Sequence, residues 1–379
     1  MVLRAHTLLP TIGPMTARVG IFGTSWWADT IYAPPITAHP DAELVAVCGR
    51  RPEPAAAFAE TWSVPRWYVD PEEMLREESL DGVVIATAND SHHDLAIAAL
   101  KAGVNVLCEK PLGRSVAEAE EMTKIAEETG AITMVPFTYH WMPVNQWVRR
   151  LVEEGWVGRP LHANLRYYTS FGFDTGYSWR FDKEIAGSGI IGDIGSHFIH
   201  LSRWLLGDTE TSISAHTSTF VDRGPRPDGT PYEPLEDSAA LTVRYASGAY
   251  SCIQVSSVCW EGDGFGQSHH LEIHGTEGTL YATCDWDRIQ EVSGLRKGDP
   301  RRQPLPIPDD IWGDLRRDTV HNTYRDVFRT TDSMTRGWIT AMAAGEHCRP
   351  DFAEGLAVQR VIDAAVESAD AGGCPIKLG

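Results

Sequence analysis

The stretch Arg18-Val19-Gly20-Ile21-Phe22-Gly23-Thr24-Ser25-Trp26-Trp27-Ala28 decides the fold of the N-terminal part of this chain. It begins as a short apolar run with β-branched residues, which is typical of a buried strand. A glycine ends the run. A tight turn at that point brings backbone amides and a helix N-terminus together, which is how a Rossmann unit holds a pyrophosphate. The stretch therefore predicts a dinucleotide-binding opening unit.

The turn departs from the pattern G-x-G-x-x-G at two positions. Ala28 replaces the last glycine, where only close packing of helix and strand is required. Ser25 replaces the middle glycine, where a side chain limits the approach of a pyrophosphate. Because serine is small and can donate a hydrogen bond, we expect weakened or shifted binding rather than none.

Short apolar runs alternate with helix-like stretches over residues 16–136, the pattern of a parallel sheet with crossover helices. Capping boxes are predicted at Ser91–Asp94 and Ser115–Glu118, each before a helix. We interpret residues 16–136 as a Rossmann domain and residues 1–15 as a disordered extension. The predicted strands are 19–22, 44–48, 82–86, 104–108 and 132–135, and the predicted helices are 53–61 and 71–78.

The pattern changes over residues 137–379, where segments alternate with a period of two and predict an antiparallel sheet. The fold class is therefore α/β: a Rossmann domain followed by an α/β domain with a large, mostly antiparallel open sheet. A last helix at 353–369 has one apolar face and could pack near the first domain. The predicted strands are 161–170, 211–220, 239–245, 249–257, 270–274 and 279–284; a helix is predicted at 144–154, and exposed loops at 222–234 and 296–308.

Two short clusters carry the chemistry. Cys108-Glu109-Lys110-Pro111-Leu112 follows an apolar run, and Gly192-Asp193-Ile194-Gly195-Ser196-His197 opens a helix-like run. A lysine at the end of a buried strand is unfavourable unless something uses its charge. Asp193 and His197 are four apart, so on a helix the carboxylate can orient the imidazole. The alternative is a solvated strand-end lysine and a helix cap beside a core histidine.

These clusters and four further motifs together resemble the glucose–fructose oxidoreductase / inositol dehydrogenase family, Gfo/Idh/MocA, nearly from end to end. The resemblance is carried by Arg18 to Gly23, Ala86-Thr87-Ala88-Asn89-Asp90-Ser91-His92, Glu109-Lys110-Pro111, Gly187 to His197, His274 to Leu280 and Asp351 to Gly355.

The resemblance implies an NAD(P)-dependent oxidoreductase that transfers a hydride between the nicotinamide and a carbon of a sugar, inositol or related polyol. It implies that His197 is the general acid/base, that Lys110 positions and polarises the substrate, and that Asp193 assists. It further places Trp179 and Arg180 near the ligand with Asp193 as substrate-binding residues. Tyr139 follows the fifth predicted strand, and we expect it to line the same cleft; the alternative for Tyr139, Trp179 and Arg180 is plain packing. The predicted cofactor-binding residues are Arg50 and Arg51, from their position after the second strand, and, from the turn and the motifs of the resemblance, Gly23, Thr24, Ser25, Trp26, Trp27, Thr87, Asn89, His92, Glu109 and Lys110.

The residues that select between NAD and NADP lie after the second strand, where an acidic residue would hold the ribose hydroxyls of NAD. Arg50 and Arg51 lie there, and no carboxylate occurs before Glu53. Guanidinium groups suit a 2′-phosphate. We therefore favour NADP over NAD, with two solvated arginines as the alternative.

Composition excludes several classes of function. The net charge of −19 argues against nucleic acid and anionic membranes as partners. The seven cysteines are scattered and lack a Cys-x-x-Cys pair, which favours a reducing cytoplasm. Asp193, His197 and His200 would share one helical face, but three ligands there are cramped and no familiar zinc spacing occurs, so no metal is expected.

Two other functions stay open. One is a redox-assisted glycoside hydrolase or epimerase that retains its NAD, and the other is a non-catalytic, nucleotide-sensing regulator. An antiparallel sheet of this size has a face that needs cover, and subunits of the family pair through such faces, so we expect a homodimer or homotetramer.

Overall fold

The computed structural model describes residues 16–261 and 266–379 of the 379-residue chain. The extension predicted for residues 1–15 lies outside the described residues.

The first sheet has six parallel strands in the order β3-β2-β1-β4-β5-β6. Strand order reverses between β1 and β4, which opens a crevice at their carboxyl ends. The sequence prediction missed β3, which is short and mostly exposed. The strands are β1 Ala17–Phe22, β2 Ala42–Cys48, β3 Arg66–Tyr68, β4 Gly82–Ile85, β5 Asn105–Cys108 and β6 Thr133–Met134; the helices are α1 Ala33–Thr37, α2 Pro52–Trp62, α3 Pro71–Glu77, α4 His92–Lys101 and α5 Val116–Thr129.

The second sheet has nine strands in the order β14-β13-β12-β11-β7-β10-β9-β8-β15. Only the β7–β10 pair is parallel, so the sheet is mostly antiparallel, as predicted. The prediction missed β13 to β15, and β14 lies inside the loop predicted at 296–308, which is therefore wrong at that point. The strands are β7 Pro160–Thr169, β8 Glu210–Ser218, β9 Ser238–Tyr245, β10 Tyr250–Ser256, β11 Gln267–Gly275, β12 Gly278–Thr283, β13 Glu291–Arg296, β14 Gln303–Pro304 and β15 Ile376–Lys377.

The second sheet is covered by helices on one face. The helices α6, α8 and α12 pack against its strands. In β10, Ser251, Ile253 and Val255 are buried while Tyr250 and Gln254 are exposed, so alternate side chains face the helices and solvent. The remaining helices are α6 Pro143–Glu153, α7 Lys183–Ala186, α8 Ser196–Leu206, α9 Asp309–Trp312, α10 Val320–Thr330, α11 Met334–Ala344 and α12 Phe352–Asp370.

The C-terminal helices return to the first domain. Trp338 of α11 is fully buried and donates from Nε1 to the Ile132 carbonyl at 3.1 Å. α12 packs on α5, where the Val116 amide donates to Asp363 Oδ2 at 2.8 Å. The division at residue 136 stays a prediction, because these helices join the two sheets into one body.

The two predicted capping boxes differ. Ser115 accepts from the Glu118 amide and caps α5 as expected. Ser91 makes no side-chain cap, so the first box is wrong. Its hydroxyl instead bonds Thr87 Oγ1 at 2.8 Å and the Ala88 carbonyl at 2.9 Å, because a 3₁₀ turn over Asn89–Ser91 precedes α4 and brings those oxygens nearer.

Candidate active site

The turn after β1 is shaped by a glycine without space for a side chain. Gly23 has φ +108°, and a Cβ there would lie 2.5 Å from the Ala86 carbonyl oxygen. The Ser25 hydroxyl accepts from the Ala28 amide and donates to Ala86 O, both at 3.2 Å. Ser25 is thus bonded to the end of the neighbouring strand. The bare backbone at the point where strand order reverses fits a dinucleotide.

The loop after β2 lies beside this turn. A Cβ on Gly49 would meet Thr24 Cγ2 at 3.0 Å. Arg50 and Arg51 follow and are exposed. Burial raises the pKa of Asp90, and the positive charges of Arg50 and Arg114 oppose that rise. The structure therefore brings two guanidinium groups to the place predicted for the ribose.

The segment after β4 supports the walls of the crevice. Asn89 donates to the Ala186 carbonyl at 3.0 Å. His92 is buried, with Nδ1 3.0 Å from the Pro111 carbonyl, and burial lowers its pKa to about 4. Thr87 accepts from Ser91. The side chains of these predicted cofactor residues are therefore bonded to the chain itself.

Glu109 links the turn after β1 to the loop that carries Lys110. Its Oε1 accepts from the Trp27 indole and the Tyr32 hydroxyl, and its Oε2 accepts from the Lys110 amide at 3.0 Å. Burial raises the pKa of Glu109, while the Lys110 charge and these donors oppose the rise. Trp26, by contrast, is 60% exposed. Tyr32 escaped the sequence analysis because nothing local marks it as a partner of Glu109.

Lys110 is the centre of an ionic cluster. Its Nζ donates to Asp193 Oδ1 at 2.8 Å and to the Asp193 carbonyl at 2.6 Å, and Arg180 Nε lies 3.3 Å from Oδ2. Burial would raise the pKa of Asp193, but the charges of Lys110 and Arg180 outweigh it and hold the pKa below its usual value. Since the Lys110 side chain is only 14% exposed, the solvated strand end is excluded.

His197 lies beside this cluster without a bond from Asp193. Its Nδ1 is buried and lacks a hydrogen-bond partner in the described part of the chain, so the prediction that Asp193 orients the imidazole is wrong. Ile191–Gly195 forms a π-helical turn, whose wider spacing breaks the i,i+4 alignment. Burial, and then the Lys110 charge, lower the pKa of His197 well below its usual value. The imidazole is therefore neutral and can accept a proton.

Aromatic and polar side chains from the turn before α6 and from the second sheet lie beside His197. The Tyr139 ring lies 4.9 Å from His197. The hydroxyls of Tyr139 and Tyr167 lie 3.0 Å and 2.9 Å from Gln267 Oε1. Tyr167, Gln267 and the neighbouring His269 were missed, although the alternation in 161–170 places Tyr167 on the buried face. All three reach the site through sheet pairing.

The remaining predicted residues, Trp179 and Arg180, and the histidine of the metal alternative, His200, make local contacts. Trp179 stacks under the Arg180 guanidinium at 4.6 Å. His200 contacts His140 Nδ1 at 3.2 Å and stacks on Phe137. Within residues 16–261 and 266–379, no three His, Cys, Asp or Glu side chains are placed to hold a metal ion. No helix in those ranges is long and apolar enough to cross a membrane.

A Rossmann domain joined to an open sheet, with lysine, aspartate and histidine where they meet, defines a dinucleotide-dependent oxidoreductase. Residues 17–137 match the model of the oxidoreductase family with an NAD-binding Rossmann fold, Gfo/Idh/MocA, and residues 145–281 match its C-terminal domain. The chain belongs to this family.

Known proteins are similar to this chain over most of its length. The levoglucosan dehydrogenase of Pseudarthrobacter phenanthrenivorans is 28% identical, over 88% of this chain and 89% of that protein. The inositol 2-dehydrogenase of Rhizobium meliloti is 25% identical, over 93% and 97%. A solved levoglucosan dehydrogenase in complex with NADH and L-sorbose superimposes with a TM-score of 0.81 and 26% identity, over 96% of this chain and 99% of that one. The chain is accordingly an enzyme of the dehydrogenase and reductase class.

Proposed function

We propose that this enzyme transfers a hydride between a nicotinamide and a carbinol or ketone carbon of a sugar, inositol or related polyol. The observation that carries the proposal is the pairing of Lys110 with Asp193 beside a neutral, buried His197. The names of the relatives, which refer to levoglucosan and inositol, support this substrate class.

Lys110, Asp193 and His197 have different roles in this reaction. Neutral His197 accepts the proton of the carbinol hydroxyl, and returns it when a ketone is reduced. Lys110 has three donors, of which two are bonded to Asp193, so the third can hold and polarise the substrate oxygen. Asp193 keeps Lys110 and Arg180 in place. When bound, the nicotinamide accepts or supplies the hydride.

The cofactor would be held at the turn from Gly23 to Trp27 and at the loop after β2. Exposed Arg50 and Arg51 at that loop support NADP. NAD is the second candidate, because the solved relative is a complex with NADH. The walls for the substrate would be Tyr139, Trp179 and Arg180.

The exposed face of the second sheet supports a homodimer or homotetramer. Tyr250, Cys252 and Gln254 alternate along this face and lack a covering helix in the described chain. Burying such a face against a second copy would remove it from water. Sedimentation at micromolar concentration is expected to give a species of at least twice 41.8 kDa; a monomer alone would contradict this.

A substrate panel tests the proposed reaction. Free and activated sugars and cyclitols are incubated with NAD or NADP while absorbance at the NAD(P)H band is followed, with His197→Gln as the negative control. Net reduction of the cofactor supports the proposal. An enzyme that converts substrate with a tightly retained cofactor and no net reduction would favour the hydrolase or epimerase, and binding without turnover would favour the regulator.

All seven cysteines are free, which supports a cytoplasmic location.

A further inference from the structure

Residues 233–237 form an extended segment, which we call the strap. The strap lies along the start of residues 187–197, which carry Asp193 and His197 and which we call the catalytic segment. The Leu235 amide donates to the Phe181 carbonyl at 2.9 Å, and the Ile190 amide donates to the Glu236 carbonyl at 3.0 Å. The strap thus touches both the turn that carries Arg180 and the turn that carries Asp193. The strap is far from the catalytic segment in the sequence, so only the tertiary structure brings the two segments together.

The side chain of Glu236 ends at the N-terminal end of the π-helical turn Ile191–Gly195. Its Oε1 accepts from the Ile191 amide at 3.1 Å, and the Gly189 amide also faces the carboxylate. Glu236 is 8% exposed and has no cationic side chain as a salt-bridge partner among the described residues. A buried carboxylate is unfavourable without donors. Here backbone amides at the start of a helical segment supply them, and they partly oppose the burial that raises the pKa of Glu236 to about 7.

Gly189 makes this contact possible. A Cβ at that position would lie 2.3 Å from the Glu236 carbonyl oxygen and 3.0 Å from the Glu236 carboxyl carbon. Any larger residue would push the strap away from the turn. The glycine that precedes Ile190 and Ile191 in the sequence motif is therefore required by the approach of Glu236.

The neighbouring Asp237 anchors the strap on its other side. Its carboxylate accepts from the Phe220 and Val221 amides at 3.0 Å and pairs with the buried Arg223 at 3.5 Å. Arg223 in turn donates to the Gly172 carbonyl at 2.6 Å. Successive side chains of an extended segment point in opposite directions. Asp237 therefore holds the strap while Glu236 is free to serve the catalytic segment.

We propose that Glu236 is a positioning residue whose carboxylate fixes the N-terminal end of the segment that carries Asp193 and His197. Asp193 lies two residues beyond the amide that Glu236 accepts from, so loosening this end moves the carboxylate that holds Lys110. The consequence for turnover rests on the proposed function, while the positioning itself does not.

Hydrogen exchange tests the positioning without substrate. Amide exchange of the peptide spanning residues 188–195 is measured for the wild type, Glu236→Ala, Glu236→Gln and the control Glu233→Ala, an exposed residue of the same strap. We expect exchange at Ile191 to rise roughly tenfold in Glu236→Ala, since the hydrogen bond that the buried Glu236 side chain accepts from the Ile191 amide is lost. It should rise less in Glu236→Gln, which keeps one acceptor oxygen, and stay unchanged in the control. Wild-type exchange in Glu236→Ala would overturn the proposal.

Steady-state kinetics separate positioning from general destabilisation. The turnover number should fall about tenfold in Glu236→Ala, with the KM for the cofactor and the activity of Glu233→Ala unchanged. If Glu236→Ala fails to fold, the same two measurements on Glu236→Gln decide. Faster exchange in a chain that shows no nicotinamide-linked turnover in any variant would refute the proposed function and leave the positioning in place. Unchanged turnover in the Glu236 variants of an active enzyme would overturn the catalytic consequence.

Discussion

Two cations meet one carboxylate at the reaction centre. Lys110 and Arg180 contact different oxygens of Asp193, and His197 beside them is neutral. The cluster therefore carries one net positive charge. A positive site of this kind stabilises the negative charge that develops on a substrate oxygen as its proton leaves.

Lys110→Ala should lower the turnover number by about 100-fold or more, the range for loss of one preorganised charge at a reacting oxygen. Affinity for the cofactor should change little, because Lys110 is bonded to Asp193 rather than to the turn after β1. Lys124→Ala, an exposed lysine of α5, is the matched control. Steady-state kinetics and fluorescence titration with the cofactor check this. A turnover number equal to the wild type would remove Lys110 from the mechanism.

Arg50→Ala with Arg51→Ala should weaken NADPH binding by about 2–4 kcal/mol, the range for losing charge-assisted contacts. NADH should bind as before, because its ribose lacks the phosphate. Calorimetric titration with both cofactors measures the difference, and Arg301→Ala, exposed on the other domain, is the control. Equal loss for both cofactors would mean that the arginines support the fold, and a wild-type preference for NADH would show that the NADP assignment is wrong.

Among the elements, α11 has the clearest structural task. Trp338 is fully buried, and a Cβ on Gly82 of β4 would lie 2.6 Å from its ring. The helix thus packs on the middle strands of the Rossmann sheet although it is far along the chain. Its contact stabilises the strand at which the dinucleotide crevice opens.

Trp338→Ala should lower the free energy of unfolding by about 3–5 kcal/mol, because a large buried ring leaves a cavity. It also removes the hydrogen bond to Ile132. Trp67→Ala, which truncates a tryptophan that is 45% exposed, should lower it far less. Urea unfolding of both variants makes the comparison, and similar losses would contradict the assigned packing.

At the scale of the whole molecule, the interior holds several neutral histidines. Burial lowers the pKa of His92 to about 4 and that of His269 to about 3, and it lowers the pKa of His197 and His200 well below the usual value. Each binds a proton in the unfolded chain at a pH where the folded chain leaves it neutral. Because these histidines lie on both domains, a fall in pH should lower the stability of the whole fold.

Stability should therefore be complete above about pH 6.5 and be lost as the pH falls from 6.5 toward 4, since the unfolded state takes up more protons there. Each of these histidines should contribute a slope of roughly 1.4 kcal/mol per pH unit. Urea unfolding at pH 7.5, 6.5 and 5.5 measures it. His269→Gln should reduce the slope, and the exposed control His347→Gln should leave it unchanged. Constant stability across this range would contradict the neutral assignments.

Local patterns predicted much of the fold because they depend on neighbours in sequence. The apolar run before Gly23 predicted β1, and the period of two in residues 249–257 predicted β10, since strand geometry repeats every two residues. The same kind of reasoning missed β3, β13 and α11. The two strands are short or partly exposed, and α11 is identified by what it packs against rather than by its own sequence.

The sequence by itself determined the Rossmann opening and the identity of the candidate reactive groups, because a glycine turn, a strand-end lysine and an aspartate near a histidine are local features. Only the tertiary structure decided their partners. Glu109 meets Tyr32 across 77 positions, Lys110 meets Asp193 across 83, and Glu236 meets Ile191 across 45. Asp193 was expected to hold His197 but pairs with Lys110 and Arg180 instead, because the π-helical turn breaks the helical spacing and the fold brings both cations to its carboxylate.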